Sequence, residues 1–139
     1  LYSSAASDVY KRQIENGAKV VIADLNQAGG DIMAAELGDN AIAVKCDVRS
    51  AMDVSNAAQA CVDAFGVPDI VVNNAGYAYK TCPMLEVDEA TFDRTFAINV
   101  KSIYYMSQAV VPLMQERRSG VILNIGSTAG IRPRPGTVW

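Results

Sequence analysis

An α/β protein built on a parallel sheet is predicted by three observations. Four short apolar runs, Ala18–Ala23, Ala41–Cys46, Asp69–Val72 and Val121–Ile125, are too apolar for strands with one face in water. Helix-like patterns separate them, and a polar residue or turn closes each one. The 139 residues, half of them hydrophobic, are enough to bury the core of one domain.

Ala18–Ala23 is β-branched enough for a strand buried on both faces. Asn26–Leu37 reads as a helix with Ile32, Met33 and Leu37 as its apolar contacts; Gly29-Gly30 weakens its start and Gly38 stops it. Ala41–Cys46 is the second strand. Ser50 opens the next helix, with Asp53 three residues on as a capping-box variant. Val54, Ala58, Cys61, Val62 and Phe65 then form one helical stripe, ended by Gly66 and Pro68. Asp69–Val72 is the third strand, closed by Asn73-Asn74-Ala75-Gly76. A loop reaches about Val87, Asp88 is an N-cap, and a helical pattern, in one piece or two, runs to Arg118. Val121–Ile125 follows and ends at Gly126-Ser127.

The net charge of −3, with the two signs interspersed, offers no basic stripe for nucleic acid. No apolar stretch approaches the length of a membrane span, and none has the charged start and apolar middle of a secretory leader. Cys46, Cys61 and Cys82 lack metal-ligand spacing and fit reduced thiols of a cytoplasmic protein. With no histidine, these residues contain neither a Ser-His-Asp triad nor a His-containing zinc site, and no metal is expected.

Parallel sheets of this kind bind ligands at the carboxyl ends of their strands. Asp24 sits where a dinucleotide-binding sheet places an acid against the adenosine ribose hydroxyls, or it caps the next helix. Leu25 follows it, and a carboxylate there repels a 2′-phosphate, which favours NAD over NADP. Asp47 and Val48 hold an adenine through carboxylate and backbone N–H, or make a turn. Asn73, Asn74, Ala75 and Gly76 allow close backbone approach to a ligand, or form a plain turn. Asn99 interrupts an apolar helical stretch, either as a solvated residue or as part of a site. Ser127, in "NIGSTAG", lacks the spacing of a nucleophile elbow and suits hydrogen bonding to a substrate oxygen.

Together, "VVIADLN", "CDV", "DIVVNNAG", "FAINVKS" and "GVILNIGSTAG" resemble the short-chain dehydrogenases/reductases over Ile14–Trp139. The resemblance implies an incomplete Rossmann-like doubly wound parallel sheet. It implies NAD as cofactor, with Asp24 on the adenosine ribose, Asp47 and Val48 on adenine, Asn74 to Gly76 against the cofactor and Asn73 bracing the sheet. Asn99 becomes the active-site asparagine beside a proton-relay water. Ser127 becomes the serine that polarises the reacting oxygen, and "GIRPRPGTVW" one wall of the substrate cleft. The implied activity is hydride transfer between an alcohol and a ketone; the alternative is a non-enzymatic dinucleotide sensor of the same fold.

Two family motifs have no counterpart in these residues. One is the opening strand with its glycine-rich TGxxxGIG turn, which carries the pyrophosphate on a helix N-terminus. The other is the catalytic Tyr-x-x-x-Lys, whose tyrosine, counted from Ser127, falls immediately after Trp139. Where the first strand is expected stands "SSAASDVYKRQ", Ser3–Gln13, which resembles a sequencing-library adapter translated in one frame. Residues 1–13 are therefore expected to be non-native, although Ala5–Glu15 has tolerable helix propensity. Residues 14–139 are expected to be a partial NAD-binding domain, inactive by itself. The absent strand belongs between the Ala18–Ala23 and Asp69–Val72 strands in the 3-2-1-4-5-6 order. Apolar residues on several faces of the long helix, among them Phe96, Val100, Ile103, Tyr104, Val111 and Met114, point to a homodimer or homotetramer of the full-length parent.

Overall fold

In the computed structural model, which describes residues 4–132 and 135–136, the apolar runs become four strands. They are β1 Val20–Asp24, β2 Ala41–Lys45, β3 Ile70–Asn73 and β4 Val121–Asn124. The α-helices among the described residues are α1 Ser4–Glu15, α2 Gln27–Leu37, α3 Ala51–Phe65, α4 Glu89–Phe96 and α5 Ser102–Arg117. Two compact units result, one up to Val67 and one from Pro68. Each contains one parallel strand pair, β1 with β2 and β3 with β4. Parallel pairing within each unit is what the sequence predicts.

In the first unit, β1 and β2 pair from Val20↔Ala41 to Asp24↔Lys45. The Cys46 N–H donates to the Asp24 carbonyl at 2.9 Å and carries the pairing one residue further. Parallel neighbours need a crossover, which α2 supplies. Its N-cap Asn26 accepts from the Gly29 N–H at 3.2 Å, and Gly38 closes it with φ 77°. The inward stripe differs from the expected one. Ile32 is exposed, while Gly30 and Met33 are buried and Leu37 half-buried. A Cβ on Gly30 would lie 3.0 Å from Ala43 Cβ. Gly30 thus lets α2 sit close on β2, and that contact turns Ile32 outward. α3 follows the expected stripe, with Val54 and Ala58 buried and Cys61, Val62 and Phe65 half-buried. α1 occupies the segment of tolerable propensity and lies against α2 and β1.

In the second unit, β3 and β4 pair from Ile70↔Val121 to Asn73↔Asn124. Val121 N–H to Asp69 O at 2.9 Å and Ile125 N–H to Asn73 O at 3.0 Å extend the pairing over both predicted runs. Burial on both faces is not observed here. Val71, Asn73 and Ile122 are half-buried, but Ile70, Val72, Val121 and Leu123 are exposed. Alternate strand residues point to opposite faces, so one covering layer buries only one set of them.

The long helical pattern comes in two α-helices joined by a π turn, Ala97–Lys101. Asp88 caps α4 by accepting the Thr91 N–H at 2.6 Å. Val110 and Met114 of α5 are buried, and Arg118 ends the helix at φ 55°. Among the described residues no helix is long and apolar enough to cross a membrane.

Candidate active and cofactor site

The first unit brings Asp24, Asp47 and Val48 to one sheet end, because Cys46 is bonded back to Asp24. Asp24 is half-buried, and its Oδ1 accepts the Asn26 N–H at 2.8 Å. Asp24 thus shapes the turn, while Asn26 does the capping. Asp24 Oδ2 has no partner among the described residues.

Asp47 is more heavily engaged. Its carboxylate takes the Arg49 guanidinium through Nε at 2.9 Å and Nη2 at 2.6 Å, and also the Arg49 N–H at 2.9 Å. The Asp47 N–H donates to Asp53 Oδ2 at 3.0 Å. Ser50 Oγ donates to Asp53 Oδ1 at 3.0 Å and accepts the Asp53 N–H at 3.2 Å, so the expected capping pair forms. Buried Cys46 has its thiol pushed up to about 11 by desolvation, then by the nearby Asp53 and Asp47 carboxylates, which keeps it protonated and unreactive.

The second unit contains Asn73 to Gly76, Asn99 and Ser127, and brings Asn99 to the exit of the Asn73–Gly76 turn. Asn73 Nδ2 donates to Asn124 Oδ1 at 2.8 Å, joining the carboxyl ends of β3 and β4. Ser127 is exposed three residues beyond β4, and its carbonyl accepts the Gly130 N–H at 3.0 Å. Asn99 lies within the π turn, the one-residue irregularity that recurs at functional sites. It does not merely face water, although it is exposed. Its Oδ1 accepts the Tyr77 N–H at 2.8 Å, and its Nδ2 donates to the Tyr77 carbonyl at 2.9 Å. The helix thereby holds the exit of the Asn73–Gly76 turn.

Three partners escaped the sequence. Asn124 opposes Asn73 only once the register is known. Tyr77 and Arg94, whose guanidinium lies 4.4 Å from the Tyr77 ring centroid, depend on how α4 meets the turn. In the predicted cleft wall, residues 133, 134 and 137–139 lie outside the described residues. Gly136 is described: its carbonyl accepts the Cys82 N–H at 3.1 Å, its φ is 77°, and a Cβ there would collide with Thr81 Cγ2. Among the described residues no group of His, Cys, Asp or Glu could hold a metal.

Known proteins resemble this chain in sequence and in fold. A 4-formylbenzenesulfonate dehydrogenase of Comamonas testosteroni is 38% identical over 140 residues, covering 99% of this chain and 56% of the relative. A 3-ketoacyl-(acyl-carrier-protein) reductase from Brucella melitensis, solved with NADH, is 40% identical with a TM-score of 0.87, covering 91% of this chain and 54% of that one. A closed form of serine dehydrogenase, complexed with NADP+, is 34% identical with a TM-score of 0.85, covering 92% and 52%. The chain spans about half the length of the curated relatives it matches. The fold is a Rossmann-like α/β sheet, incomplete beside those relatives. With the model of the short chain dehydrogenase family matching residues 6–139, across both sets of strand ends, the chain belongs to that family.

Proposed function

We propose that this chain is part of an NAD-dependent oxidoreductase that interconverts an alcohol and a ketone by hydride transfer. The observation that carries the reading is the Asn99 amide bonded to both peptide groups of Tyr77. It ties the asparagine to the turn that a dinucleotide would touch, beside the strand that leads to Ser127.

The residues present fit such a cofactor. Asp24 keeps one carboxylate oxygen for a ribose hydroxyl, after using the other on Asn26. The Asp47 carboxylate is already shared with Arg49, so Asp47 and Val48 serve adenine mainly through the backbone. Asn74, Ala75 and Gly76 are exposed at the end of β3. A Cβ on Gly126 would meet nothing within 4 Å, which leaves room beside the end of β4. The nicotinamide ring, when bound, supplies or accepts the hydride. Ser127 donates its hydroxyl hydrogen to the reacting oxygen and stabilises charge developing there. With its amide oriented by the Tyr77 peptide groups, Asn99 serves a proton relay by shaping its neighbourhood. The proton itself is moved by a Tyr-x-x-x-Lys pair in the remainder of a full-length protein, the lysine lowering the tyrosine pKa.

NAD is preferred over NADP because a 2′-phosphate would meet the Asp24 carboxylate with no arginine at position 25. The substrate is a small-molecule alcohol or ketone. The protein is cytoplasmic and assembles as a homodimer or homotetramer, in keeping with exposed Phe96, Val100 and Tyr104 at i, i+4 and i+8. Residues 1–13 are adapter-derived, and residues 14–139 alone are inactive.

The test is calorimetric titration of the full-length protein with NAD and NADP, with reduced-nicotinamide absorbance followed over a panel of secondary alcohols. Asp24→Ser with Leu25→Arg is expected to move preference toward NADP; a wild type that already prefers NADP overturns the cofactor assignment. Tight NAD binding with no turnover, and no tyrosine after Trp139, would favour the non-enzymatic sensor.

A further inference from the structure

We propose that Arg94 is a positioning residue for the Asn73–Gly76 turn, acting through the ring of Tyr77. The inference rests on the dinucleotide reading above. Tyr77 directly follows Gly76, and two side chains of one helical run grip it. The Asn99 amide bonds its N–H and its carbonyl at 2.8 and 2.9 Å. The Arg94 guanidinium carbon stands 4.4 Å from the centre of its ring, within the range of a cation–π contact.

The two grips do different work. Hydrogen bonds to N–H and C=O of one residue fix its backbone but leave that segment free to swing about the line joining them. A cation held over the half-buried ring opposes the swing, because it acts on an atom group off that line. The π turn makes both grips available together. Five residues along an unbroken α-helix put two side chains about 140° apart. A π turn advances less per residue, so Asn99 is brought toward the side that carries Arg94. Arg94 forms no ion pair among the described residues, and the ring is the partner its charge has. Ala75 and Gly76 lead directly into Tyr77, so swinging the residue shifts the segment proposed to face the cofactor. The expected consequence is weaker dinucleotide binding, with the alcohol subsite little affected.

The experiment uses the full-length protein with Arg94→Ala, Arg94→Lys, Tyr77→Leu and the Arg94→Ala/Tyr77→Leu double variant. Arg94→Ala should raise the KM for dinucleotide about two- to fivefold, the factor that an exposed cation–π contact is worth. The substrate KM and the melting temperature should stay near wild type, since Arg94 is exposed. Arg94→Lys, which keeps a cation, should recover most of the loss. Tyr77→Leu should match Arg94→Ala, and the double variant should add nothing. Hydrogen exchange at the Tyr77 amide, read without cofactor, should quicken in Arg94→Ala. An unchanged dinucleotide KM and unchanged exchange in Arg94→Ala would overturn the proposal, as would full additivity in the double variant. A wild type that binds neither dinucleotide would instead remove the functional reading on which it rests.

Discussion

At the ends of β1 and β2 the acidic side chains bond to residues two positions away: Asp24 to Asn26, and Asp47 to Arg49. At the end of β3 and in the π turn the asparagines bond across 51 and 22 positions, Asn73 to Asn124 and Asn99 to Tyr77. The residue types are similar and the consequences are not. A bond across two residues shapes a turn that forms with its own segment. A bond across tens of residues fixes one element on another, and it exists only after the loop between them has been closed at an entropic cost. The first unit therefore has site carboxylates that each hold a turn of their own, on strands joined by the backbone ladder. The second has site groups held by one another.

Breaking a long-range tie should cost most. Asn99→Leu removes both hydrogen bonds to Tyr77 and is expected to destabilise a full-length protein by about 1–3 kcal/mol in urea denaturation. A loss as small as that of a surface substitution would show that the tie merely decorates a turn already rigid. Gly136→Ala sharpens the same contrast. It combines a left-handed backbone with a collision at Thr81 Cγ2, and should cost about 1–3 kcal/mol. Thr81→Ser, which removes the colliding methyl, should recover part of that loss and separate the steric share from the backbone share.

Local bonds should cost less. Ser50→Ala deletes the α3 cap and is expected to cost about 1 kcal/mol, read as a lower urea midpoint at constant slope. The smallest effect expected concerns pH. Asp88 is held below the ordinary carboxylate range by the Thr91 backbone N–H, with the Thr91 side chain assisting. Its contribution is therefore complete above the ordinary carboxylate pKa and is lost as pH falls through the lowered folded value. Asp88→Asn still caps a helix, so it should match wild type near neutrality and lose less below about pH 4. Urea midpoints across that acid range measure the difference.

Whatever is decided within three or four residues was legible in the chain. Ser50 and Asp88 cap their helices, and Gly38 and Gly66 stop theirs with positive φ, because each such device closes a hydrogen bond inside one turn. The four strands lie within a residue or two of the apolar runs that foretold them, since β-branched runs flanked by turn residues have few other uses. Placement at strand ends also followed, once a parallel sheet was inferred. Which face of α2 points inward did not follow. Ile32 is the better hydrophobe, but the absence of a side chain on Gly30 lets the helix come down on Ala43, and closeness outweighs hydropathy there.

The sequence by itself determined the kinds of element, their ends, and the set of polar residues offered at the strand ends. Tertiary structure alone decided the partners of those residues: Asn99 with the Tyr77 peptide, Arg94 with the Tyr77 ring, Asn73 with Asn124, and Gly136 with Cys82. A cap or a strand is chosen by interactions among neighbours in the chain, so its signal is local. A hydrogen bond across 51 residues depends on strand register, and a grip on Tyr77 depends on the phase of a helix after a π turn. Neither is written into any short stretch of residues, because each is set by the packing of whole elements against one another.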